Sequence, residues 1–66
     1  MTSKIKTLID KKIKSQVELA GDDLVRRQHA RHFMLGFLGT LYALDAITGG
    51  ERDAALNKAW KQLERR

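Results

Sequence analysis

Apolar and polar residues alternate along this chain with a period of three to four, and that period divides it into three helices. In the first segment Ile5, Leu8, Ile9, Ile13, Val17 and Ala20 recur at helical spacing, and most of the lysines fall outside their stripe. An amphipathic helix over residues 3–20 follows, with Thr2 or Ser3 able to cap its start by accepting a free backbone N–H. The stretch LAGDDL comes next. Gly21 can end a helix in the left-handed region, Asp22 can cap its successor, and Asp23 would sit near that helix's positive end. The competing reading is one helix running through Gly21, at about 1 kcal/mol relative to alanine.

A second helix is expected over residues 23–47. Its first half, LVRRQHARH, is polar and basic, whereas Phe33 to Leu44 is a run of twelve residues without a charge. At about 100° per residue, Gly36, Gly39, Thr40 and Ala43 share a narrow face with His32 above it. Phe33, Phe37, Leu41 and Leu44, with Met34 and Leu38, form a wide arc on the other side. Such a helix is expected to be buried on more than one side. The bulky arc reads as core. The glycine face reads as a helix–helix interface, made within the chain or between two chains.

Gly49 and Gly50 mark a turn, and Thr48, three residues before Glu51, has the spacing of a capping box. The third helix is expected over residues 51–65. Leu56, Ala59, Trp60 and Leu63 line one face of it, with Trp60 and Leu63 docking over Phe37 and Leu41. Glu51 and Asp53 at its start, and Arg65 and Arg66 at its end, match the helix dipole. The fold class is therefore all-α: a single helical domain over residues 1–66.

Size adds a second expectation. A chain of 66 residues buries only about 60% of its unfolded surface, so its core is marginal without a staple. Cysteine is absent, which removes disulfides and leaves packing or oligomerisation. Two-fold dimers are the commonest oligomers. A homodimeric bundle sharing the central helix is the expected assembly. The hydrophobic fraction of 42% is ordinary for a globular chain and argues against disorder. The opening MTSKIKTLIDKKIK has no continuous apolar core of a signal peptide. Twelve uncharged residues are too few for a membrane span, which takes about 20. A soluble, cytoplasmic protein is expected.

Charge opens one functional class. The net charge is +5, and residues 1–20 contribute +3 of it, with five lysines against Asp10 and Glu18. Lys4 and Lys11, with Arg26, Arg27 and Arg31 of RRQHAR, are candidate phosphate contacts for DNA or RNA. LAGDDL has the length for a helix-turn-helix turn, but its two aspartates would meet the phosphate backbone and repel it. The same lysines also suit a solvated face that keeps a small apolar protein dispersed. Binding at a membrane surface fits the amphipathic first helix, although its stripe has no aromatic residue.

Catalytic chemistry finds little support. His29 and His32 stand at i, i+3, the spacing of two ligands on one helical face, but zinc needs further ligands that no spacing supplies. No hydroxyl lies beside a base in a strained turn. Asp22 and Asp23 read as caps before they read as an acid/base pair, and GFLG lies inside an apolar run, not after a strand. No enzyme activity, cofactor or metal is expected. The expected function is that of a small regulatory or adaptor protein. It would bind a macromolecule through a dimeric bundle, a protein partner in preference to nucleic acid. The alternative is a basic DNA- or RNA-binding protein.

Overall fold

The computed structural model describes residues 1–64, which form three helices and no strand: α1 (Ser3–Ala20), α2 (Leu24–Ala43) and α3 (Gly49–Glu64). Each boundary has a local cause. Thr2 caps α1, its hydroxyl accepting the N–H of Ile5 at 3.2 Å. The chain breaks at Gly21, whose φ of 53° is a left-handed value that side chains resist. The N–H of Gly21 still bonds the carbonyl of Val17 at 3.1 Å, so α1 ends with its donor satisfied. Asp23, not Asp22, is the N-cap of α2, and its carboxylate accepts the N–H of Arg26 at 2.9 Å.

The end of α2 departs from the expected residue 47. The helix stops at Ala43 because Asp45 takes a φ of 59°. The N–H of Ala46 then bonds the carbonyl of Leu41 at 2.9 Å, and that of Asp45 bonds Tyr42 at 3.0 Å. Together these are the paired bonds of a Schellman motif. Glycine usually holds its left-handed position; aspartate is among the few other residues that enter this region routinely. Gly49 and Gly50, expected as the turn, instead form the first residues of α3. Thr48 and Glu51 close the capping box reciprocally: the N–H of Glu51 donates to the Thr48 hydroxyl at 3.1 Å, and the N–H of Thr48 to the Glu51 carboxylate at 2.8 Å. Arg65 and Arg66, expected at the far end of α3, lie outside the described residues.

These caps are visible in the acidity of the two carboxyls. Asp23 is held below its ordinary 3.8 first by the N–H of Arg26, and Glu51 below 4.5 first by the N–H of Thr48. A carboxyl with a depressed folded pKa adds stability above its unfolded value and loses it as pH falls through the folded one. Asp23 is exposed and Glu51 is open to solvent in part, so the contribution of each is small.

The three helices pack around one main core. Ile9 and Ile13 of α1, Met34 and Leu38 of α2, Ile47 of the connection and Ala59 of α3 are its buried members. Phe37, Leu41, Leu56 and Trp60 are partly buried against them. A smaller cluster of Ala20, Ala30 and Leu63 closes the end nearest the α1–α2 turn, with Val17 and Trp60 against it. On α1, Leu8 falls outside the buried stripe and is 39% exposed, being 100° around the helix from Ile9. Lys58 joins α3 to Asp10 of α1 at 3.1 Å, and the N-terminal amine reaches Glu51 at the same distance. A solvent-screened pair such as Lys58–Asp10 contributes little to stability. No helix among the described residues is long and apolar enough to cross a membrane.

Candidate interaction surface

The central helix decides what the molecule offers to a partner. Its buried residues are Arg27, Ala30, Met34 and Leu38, a stripe with steps of three and four. The bulky arc expected as core splits accordingly. Met34 and Leu38 are at 0% exposure, while Phe33 and Leu44, both expected in the core, are 41% and 72% exposed. Phe33 precedes Met34 by one position and so points 100° away. Leu44 lies at the helix cap, where the chain has already begun to turn away. Phe33 instead stacks on Phe37, with ring centroids 5.9 Å apart and planes within 9° of parallel.

The glycine face lies opposite this stripe. A Cβ placed on Gly36 or on Gly39 would meet nothing within 4 Å. Neither α1 nor α3 therefore packs on it, and Thr40 and Ala43 beside the glycines are exposed. The Thr40 hydroxyl donates to the Gly36 carbonyl at 2.8 Å, so it is turned back on its own helix and adds little relief. Of the two interfaces the sequence left open, the one within the chain is absent.

Larger residues flank this low floor. Leu35 is 48% and Tyr42 45% exposed on one side, seven positions apart and hence nearly in line along the helix. Phe33 and Leu44 flank the other. Tyr42 is fixed in place by the start of α3, where the Arg52 guanidinium sits 4.5 Å from its ring centroid. Leu35 and Tyr42 are not marked as surface residues by charge, because the whole segment is uncharged. Their i, i+7 spacing was the available signal.

The basic residues do not converge on one site. Lys4 and Lys11 are exposed on α1, about 200° around the helix from Ile9 and so opposite the core. Arg26 is exposed and lines an open groove with Gln16, Leu19 and His29, between the end of α1 and the start of α2. Arg31 pairs with Glu64 at 3.8 Å.

Arg27 is the clearest departure from a phosphate contact. It is 8% exposed, its Nε donates to the Gly21 carbonyl at 3.1 Å, and a guanidinium nitrogen lies 3.8 Å from Asp22. It ties the α1–α2 turn to the body of the fold. Replacing Arg27 with alanine is expected to cost about 2 kcal/mol, the scale of a hydrogen bond to a charged group, while Arg26→Ala costs less than about 0.5 kcal/mol. Urea denaturation of the two variants checks this.

Another hollow lies between α1 and α3. It has a volume of about 210 Å³, an apolar floor including Ile9, Ile13 and Ala55, and a rim of Lys6, Asp10, Glu51 and Lys58. Those four charges are all paired, with one another or with the N-terminal amine, so the rim selects for no charged ligand. Among the described residues no three histidine, aspartate or glutamate side chains gather to hold a metal ion. No family model matches the chain, and neither a curated protein nor a solved structure matches it.

Proposed function

We infer that this is a small, non-enzymatic regulatory or adaptor protein that self-associates through the outward face of α2 and binds a further macromolecule through its outer surfaces. The observation that carries the reading is the uncovered α2 face. Gly36 and Gly39 lie open between the exposed Phe33, Leu35, Tyr42 and Leu44. A contiguous apolar surface of this kind on a small chain marks an interaction site. Self-association through it would leave the lysines on the outer face of α1 free, suited to an acidic partner surface. A cytoplasmic setting belongs to the same proposal.

Phosphate binding is the weaker reading, because Arg27 is buried, Arg31 is paired, and Lys4 and Lys11 face away from the core on a different helix from Arg26. The two readings separate in an affinity capture of the tagged protein from bacterial lysate, with and without nuclease. A discrete protein retained after nuclease, and lost when Lys4 and Lys11 are both changed to glutamate, is the expected result. Recovery of nucleic acid alone, abolished by digestion, would replace this reading with the nucleic-acid one.

A further inference from the structure

Resting on the self-association reading above, we propose that two copies of this chain pair through α2 in an antiparallel two-fold arrangement, crossing at Gly36 and Gly39. Two observations favour a second copy in this orientation. The first is charge. Arg26 and His29 are exposed at the start of α2, where both lie in the field of Asp23 but neither is within ion-pair distance of a carboxylate among the described residues. Asp45, exposed and likewise without an ion pair there, stands at the other end, where the last turn of the helix carries no basic side chain. A parallel pair would set Arg26 against Arg26 and align the two helix dipoles. An antiparallel pair places Arg26 of one copy near Asp45 and the negative end of the other copy's helix dipole, where a cation is favoured.

The second is shape. The closest approach must fall where side-chain volume is least, and a two-fold axis between the glycines sets Gly36 of one copy on Gly39 of the other. In that register His32 meets Ala43, and the exposed His29 lies level with Ala46, next to Asp45. The extent of the face fixes the strength. The 20 residues of α2 span about 30 Å, and half the lateral surface of such a helix is about 500 Å². A standard stable interface takes about 800 Å² per partner. The pair is therefore reversible.

The absence of cysteine makes this register directly testable by disulfide trapping in oxidised glutathione. The double variant His32→Cys with Ala43→Cys is expected to form a covalent dimer, read on a non-reducing gel. The single variant Ala43→Cys is expected to stay uncrosslinked, since in this register its two copies lie about 16 Å apart along the helices, beyond disulfide reach. Both positions are exposed, and circular dichroism checks that the variants keep their helices. Crosslinking of Ala43→Cys alone would establish a parallel pair and overturn the proposal. Failure of both variants to crosslink, with the unmodified chain sedimenting as a dimer, would overturn this interface and leave self-association standing. A chain that sediments as a monomer at every concentration, with no crosslink, would overturn both.

Discussion

Leu38→Ala is expected to destabilise the chain by about 3 kcal/mol, the middle of the range for emptying a fully buried leucine site. Leu38 is at 0% exposure and lies in the cluster where all three helices meet. Its neighbours are themselves buried or held by helical backbone, so the cavity has little chance to collapse. A single core in a chain of this length rarely supplies more than about 3–5 kcal/mol. The variant should lose most of its cooperative thermal transition, or show a midpoint lowered by roughly 12–24 °C. Leu35→Ala, three positions away and half-exposed, is the matched control and should shift the midpoint by only a few degrees. Equal shifts in the two variants, followed by circular dichroism, would mean that α2 is rotated about its axis relative to the structure described above.

Gly39→Leu separates assembly from folding. Glycine in a helix interior is about 0.8 kcal/mol less favourable than leucine, and the space beyond Gly39 is open. As an isolated folded chain, the variant should gain stability, with a midpoint raised by a few degrees. In the paired form the same leucine would occupy the closest approach between two α2 helices. Association is therefore expected to weaken by at least tenfold, about 1.4 kcal/mol. Sedimentation at several concentrations reads this directly: the wild type should move from the 7.5 kDa chain mass towards twice that value, while the variant stays at the lower one. A variant that still dimerises would show that the glycines are not at the contact. One that unfolds would show that the face packs within the chain after all.

Much of the fold is written locally. The start of α1 at Ser3, the break at Gly21 and the Thr48–Glu51 capping box follow from residues within a few positions of each boundary. A cap is a short-range hydrogen bond and a glycine turn is a short-range steric permission, so neighbouring residues suffice to specify them. The end of α2 was less legible. Asp45 adopts a left-handed conformation that glycine more often occupies, and the two glycines that follow open the next helix.

What periodicity could not decide was the rotation of α2. From Phe33 to Leu44 every position is uncharged, so no charge marks the outside, and arcs centred on the phenylalanines or on Met34 fit the sequence alike. The positions of α1 and α3 settle it: they cover Met34 and Leu38 and leave Phe33, Leu44 and both glycines facing outward. Arg27 was hidden for the same reason. In sequence it stands beside Arg26 as one more cation, yet 100° of helix separates a solvated arginine from one buried under the α1–α2 turn. The chain by itself determined three helices, most of their caps and an apolar central segment. Only tertiary packing determined which side of that segment is core and which is surface, because burial depends on what approaches a residue from elsewhere in the chain.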